Sequence, residues 1–146
     1  MTVRVAEKRD RMRVVRMLRD AHAAAGLPFE FSAPHAMALI DQHMASENHL
    51  AVILVAADRA VGVLMASAQP HPFAPVRYAA ETVWWVDPDH RGTGVTAMLK
   101  SYEEWARSLG CSFCNMVALD AAPRAGVIYR RQGYQPAETH YLKPLN

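Results

Sequence analysis

The sequence predicts a mixed α/β fold: a twisted central sheet with helices on both faces, in the order β-α-α-β-β-β-α-β-α-β. Three observations carry that expectation. Apolar side chains recur at helical spacing along residues 14–25, 37–44 and 95–109. Short β-rich runs lie between these segments, punctuated by Gly, Pro and Asp. A strand, a helix and another strand follow one another from residue 78 to 119, which requires a crossover, so part of the sheet is parallel and part antiparallel.

Taken in order, Val3-Arg4-Val5 is a short strand. Val14, Met17, Leu18, Ala21 and Ala25 form the stripe of a first helix, closed by Gly26 and Pro28. Ser32 and Pro34 suit a second helix start, with Met37, Ile40 and Met44 as its buried stripe and Leu39 and His43 beside them. Two apolar strands, 50–57 and 61–68, join through Asp58-Arg59. The Pro- and His-rich run 69–75 is a loop, because Pro cannot serve a central ladder. A strand over 78–86 ends at Asp87-Pro88-Asp89. Val95, Met98, Leu99, Tyr102, Trp105 and Leu109 then make a strong helical stripe stopped by Gly110. The spacing predicts a strand over 113–119, a short helix over 123–132 with Gly133 as its stop, and a last strand over 134–145.

The chain has 146 residues, which fits a single domain over 1–146 with its own core. Apolar residues make up 51% and charged residues 21%, a globular rather than disordered balance. The net charge of +2 is too small to argue for a nucleic-acid partner. No apolar run approaches the roughly 20 residues of a membrane helix, so no membrane partner is expected. The N-terminus lacks the apolar core of a signal peptide, and the expected location is cytoplasmic.

Arg9, Arg13 and Arg16 share one face of the first helix; with Glu7, Asp10 and Asp20 nearby they read as a solvated surface rather than a phosphate stripe. Cys111 and Cys114 stand three apart in a predicted strand, on opposite faces, with no second Cys pair. They read as reduced core thiols rather than a redox or zinc pair. The seven His residues show no metal-ligand spacing, and no metal is expected.

Residues 84–96 read Trp-Trp-Val-Asp-Pro-Asp-His-Arg-Gly-Thr-Gly-Val-Thr. A strand runs into a turn with two glycines and opens directly into an amphipathic helix. Such a turn lets backbone approach a ligand, and the first helical turn offers free N–H groups with a partial positive charge. That is a place for a phosphate or pyrophosphate, with Arg91 able to add charge. The spacing fits neither the three-glycine dinucleotide fingerprint nor a P-loop. A glycine pair alone is also compatible with a turn that is purely geometric.

The run from Val86 to Val95, followed by Met98-Leu99, resembles the acetyl-CoA signature of the GNAT superfamily of N-acetyltransferases. Residues 124–134, Arg-Ala-Gly-Val-Ile-Tyr-Arg-Arg-Gln-Gly-Tyr, resemble that family's later helix. The resemblance covers essentially the whole chain. It implies acetyl-CoA as co-substrate, its pantetheine arm along the backbone of Trp84, Trp85 and Val86, and its pyrophosphate on Arg91, Gly92, Thr93, Gly94, Val95 and Thr96. It implies acetyl transfer to a primary amine by direct attack on the thioester, with Tyr129 as general acid and Glu81 as candidate general base.

Glu81 otherwise reads as a carboxylate satisfied by Arg77 or solvent, and Tyr129 as a packed helix tyrosine. Thr96 stands where many relatives carry Gly or Ala, and only Asp120 lies near the position of an expected Asn. A non-catalytic acyl-CoA-binding module, or an interaction protein with a merely structural turn, would use the same residues differently. The resemblance neither requires nor excludes a homodimer. Gly94→Asp is expected to weaken cofactor binding far more than folding.

Overall fold

The computed structural model describes residues 1–119 and 123–145. Five strands, β1 (Thr2–Val5), β2 (His49–Ala56), β3 (Arg59–Pro70), β4 (Arg77–Val86) and β5 (Cys111–Asn115), form one sheet in sequential order. The first three pairings are antiparallel and β4 pairs with β5 in parallel. Helices α1 (Arg11–Ala25) and α2 (Ala33–Ala45) precede β2, α3 (Val95–Ser108) crosses from β4 to β5, and α4 (Arg124–Arg131) follows.

Both faces of the sheet are buried, which is why β2 reads as a continuous apolar run. Ala51, Ile53, Val63 and Met65 pack with Val14, Met17, Leu18 and Ile40 of α1 and α2. Val52, Leu54, Leu64 and Val86 pack on the other face with Met98, Leu99 and Tyr102 of α3 and Tyr129 of α4. The helix ends follow local chemistry. Ser32 Oγ accepts from the His35 amide at 3.3 Å, and Gly26 closes α1 in the left-handed region at φ +64°.

Three expectations are corrected. Residues 134–145 form no strand. Beyond Tyr134 every described residue is exposed, and Pro136 and Pro144 supply no amide to a ladder. Tyr134 alone is tied down, its hydroxyl donating to Glu103 at 3.2 Å. The strand placed over 113–119 is β5, which begins at Cys111 and leaves its partner after Asn115. The loop placed over 69–75 starts later, because β3 runs to Pro70 at its own end, where a missing N–H is tolerated. The position of Asp120 lies outside the described residues.

The arginine face of α1 is also not simply solvated. Arg13 turns inward, donating through Nε to Ala60 O at 3.0 Å and through its guanidinium to Asp87. Both cysteines are free and half-buried in β5.

Tyr102 ties α3 to the end of β5. Its side chain is fully buried and its hydroxyl donates to Asn115 O at 2.8 Å. Tyr102→Phe keeps the ring and strands that carbonyl, so it should lower stability by about 1–3 kcal/mol in denaturant unfolding. An unchanged midpoint and slope would show that the carbonyl finds another partner.

Candidate active site at the parting of two strands

The site begins with a fault in the ladder. β4 and β5 pair from Arg77 to Ala80, and the last pair is Ala80 with Asn115. Immediately afterwards β4 carries a bulge: Met65 of β3 pairs with Val83 and Ala66 with Glu81, leaving Thr82 unmatched. Among the described residues, the outer edge of β4 from Glu81 to Val86 has no strand partner, so its polar groups face a split rather than a neighbour.

Glu81 stands at the start of that split. Its Oε2 accepts from the Val117 amide at 2.8 Å, reaching across to the chain that has just left β5. Arg77, the partner considered from sequence, is engaged elsewhere, with Leu109 O at 3.2 Å and Asn48 at 2.6 Å. Burial pushes the Glu81 carboxyl up to about 7, against the pull of the Val117 amide in the other direction.

Tyr129 meets the same residue through its carbonyl. Its hydroxyl donates to Val117 O at 2.6 Å, and its ring stacks on Trp84 at 5.8 Å between centroids. Burial first, and then the charge of Glu81, raise its phenol well above the usual range. One residue, Val117, thus joins through its N–H and its C=O the two side chains that sequence reasoning singled out. Trp84 adds an indole Nε1 that is buried without a partner, an unmet donor beside Tyr129.

Trp84 and Trp85 point to opposite faces, as strand alternation requires. Trp85 therefore lies away from Tyr129. Its Nε1 donates to Asp87 Oδ1 at 3.1 Å, and the Arg91 guanidinium lies over its ring at 4.7 Å. Arg91 Nε also donates to Val86 O at 2.8 Å, folding the arginine back onto the strand it follows.

The turn beyond carries two glycines in the left-handed region, Gly92 at φ +94° and Gly94 at φ +77°. Gly94 is the N-cap of α3, and no side chain caps that helix. The first-turn amides of α3 are left free for an acceptor from outside. Thr93 and Thr96 are exposed there, and Val95 is buried as the first apolar contact of the helix. A Cβ on Gly94 would lie 2.6 Å from Leu54 Cδ1. Gly94→Asp, expected to weaken cofactor binding far more than folding, therefore also carries a cost to the fold, since the position is constrained by φ and by the core.

The donors fit a ligand with phosphates at one end. Uncapped amides and Arg91 stand at the α3 turn, an unpaired strand edge leads back from it, and an orphan indole N–H lies further along. An open concavity of about 570 Å³ near Arg11, Asp41 and Met44 touches none of these elements. Among the described residues, no group of three His, Cys, Asp or Glu could hold a metal, and no helix is long and apolar enough to cross a membrane.

Sequence reasoning missed Thr82 and Asp87. Thr82 gives no signal of its own. Asp87 could have been found as an acid flanked by the signature and by an arginine-rich helix.

Comparison with known proteins gives the class of this site. A predicted acetyltransferase from Clostridium acetobutylicum, solved with acetyl-CoA, is 17% identical, with a TM-score of 0.78 over 99% of this chain and 95% of that one. An aminoglycoside 6'-N-acetyltransferase from Acinetobacter haemolyticus is 21% identical, with a TM-score of 0.73 over 100% of each chain. A ribosomal-protein-alanine N-acetyltransferase from Brucella melitensis is 16% identical, with a TM-score of 0.74 over 99% and 100%. At these identities the likeness is one of fold. No curated protein matches the sequence. The model of the acetyltransferase (GNAT) family matches residues 15–134, and the chain belongs to that family.

The raised Glu81 carboxyl makes a prediction about stability. Its folded value of about 7 lies above the ordinary 4.5, so the stability carried by the neutral form is present at low pH and lost as pH rises through 7. Glu81→Gln cannot ionise and should stabilise the protein by about 1–3 kcal/mol at pH 8.5, with little effect at pH 4. Denaturant melts at the two pH values decide it. An equal effect at both would mean that the carboxyl is not held out of water.

Proposed function

We propose that the protein transfers the acetyl group of acetyl-CoA to a primary amine by direct attack of the amine on the thioester. The observation that carries this reading is the meeting of Glu81 and Tyr129 on the backbone of Val117, at the point where β4 and β5 part. The same strand leads on to an uncapped helix N-terminus fit for phosphates.

Each residue then has a task. The amides from Arg91 to Thr96 and the Arg91 side chain hold the phosphates, helped by the α3 dipole. The free edge of β4 over Trp84, Trp85 and Val86 pairs with the amide-bearing arm as an added strand would. To free Val86 O for that pairing, Arg91 Nε has to move toward the phosphates. Acetyl-CoA supplies an activated carbonyl.

Glu81 takes the proton that the amine must lose. With its carboxyl near 7, it is ionised enough at neutral pH to accept a proton and basic enough to hold it. Tyr129 turns its hydroxyl from Val117 O to the departing sulfur and protonates it. Trp84 Nε1 is a donor for a carbonyl oxygen at the split.

The acceptor must be read from this chain itself, since both a ribosomal-protein and an aminoglycoside acetyltransferase share the fold. A second reading, a non-catalytic acyl-CoA-binding module, draws on one specific observation. Glu81 and Tyr129 are both already satisfied by Val117, so the fold can hold them without chemistry.

Both readings bind acetyl-CoA, which calorimetry tests, and thiol release over a panel of amines separates them. At about 100 times its dissociation constant, acetyl-CoA should stabilise the fold by about 2.7 kcal/mol. Tyr129→Phe should lower kcat by about 10²–10⁴ with acetyl-CoA affinity nearly unchanged, and should destabilise the fold by about 1 kcal/mol because the Val117 contact is lost. Turnover by Tyr129→Phe at the parent's rate, with chemistry limiting, would return the residue to packing.

A further inference from the structure

The bulge in β4 has a consequence for which face each side chain takes. Before it, Ala79 packs in the core under α3 and α4. After it, Trp84 and Val86 pack there, while Val83 and Trp85 pack against α1 and α2. Ala79 and Val86 differ in parity, so a strict two-residue alternation could not bury both on one face. The extra residue, Thr82, resolves the conflict and lets Glu81 and Trp84 share the face that carries Tyr129.

Thr82 is an exposed residue with one tie. Its Oγ1 lies 2.9 Å from Nε2 of His43, a side chain of α2 that is only 4% exposed. The other ring nitrogen of His43, Nδ1, is 2.8 Å from Leu39 O within the same helix, which fixes Nδ1 as the donor. In the neutral ring, Nε2 then accepts from the Thr82 hydroxyl. Burial lowers the His43 pKa, which favours that neutral ring. The ring of His49 closes edge-on against His43, with centroids 4.7 Å apart.

We propose that His43 and Thr82 are positioning residues: their hydrogen bond pins the β4 bulge to α2 and so aims Glu81 into the split. The catalytic side of this inference rests on the reading of Glu81 as general base; the geometric side does not. Loss of the pin lets the bulge migrate along β4, and Glu81 then leaves its place opposite the Val117 amide for solvent or for the other face.

The test follows the Glu81 side-chain carboxyl carbon resonance during pH titration of the isotope-labelled, ligand-free protein. That carbon reports the carboxyl's own ionisation wherever the side chain lies and without any turnover, while the Val117 amide, which donates to Glu81 in the parent, shows whether the contact persists. The phenols near enough to feel the Glu81 charge, Tyr102 and Tyr129, titrate far above the range used. In the parent the midpoint should lie near 7. Thr82→Ser keeps the hydroxyl and should keep that midpoint. Thr82→Val and Thr82→Ala remove the hydroxyl and should bring the midpoint down toward the ordinary carboxylate range. With the best amine, both should lose about tenfold or more in kcat, with acetyl-CoA affinity within about twofold of the parent. A midpoint in Thr82→Val and Thr82→Ala equal to the parent's would overturn the proposal, because core packing alone would then set the bulge. Glu81→Gln distinguishes the two claims. If it retains activity while Thr82→Val still moves the midpoint, the base assignment falls and the pin stands.

Discussion

The parting of β4 from β5 is the constraint on which the rest of the site depends. A parallel pair that continued past Ala80 and Asn115 would satisfy the edge of β4 with another strand and leave nothing for a ligand to bind. The β4–β5 pairing ends at Ala80, the bulge at Thr82 in the β3–β4 ladder follows directly, and the chain after Asn115 leaves the sheet. Left open, the gap would expose polar backbone on both sides. Val117 partly closes it, with its N–H on Glu81 and its C=O on Tyr129. The same two contacts keep a carboxyl and a phenol at the split and partly out of water, which is the environment that raises both of their pKa values.

The opposite end of the site is held by a different set of forces. Asp87 ends β4 and receives both Trp85 Nε1 and the Arg13 guanidinium, so α1 braces the start of the signature turn. Arg91 then lies over the Trp85 ring and on Val86 O. A cation is thereby kept near the helix N-terminus, where under the proposed function its charge and the amides of α3 would act on the same anion. Gly94 cannot be exchanged freely in this arrangement. It adopts a left-handed φ and abuts Leu54 of the core.

Much of this was legible in the sequence because it depends on local patterning. The stripe Val95, Met98, Leu99, Tyr102 marks α3, and the two glycines before it mark the turn. The adjacent tryptophans announce a strand with two buried faces. What could not be read depends on pairing over long distances. The bulge at Thr82 arises because Ala79 and Val86 must share a face, which no local window reveals. The contact of Glu81 with Val117 joins residues 36 apart in sequence. The tail over 134–145 looked like a strand from its aromatic and apolar content, yet alternation without a partner edge does not make a ladder. His43 is the intermediate case. A histidine on the apolar face of α2 signals that a polar partner is needed, but not that the partner is Thr82.

The most direct test of this account follows backbone amides during an acetyl-CoA titration of isotope-labelled protein. If the split and the α3 turn form one site, the amides of Thr93 to Thr96 and that of Val117 shift together along a single saturation curve. Binding that leaves both sets unmoved while perturbing residues of the concavity near Arg11 and Asp41 would contradict it.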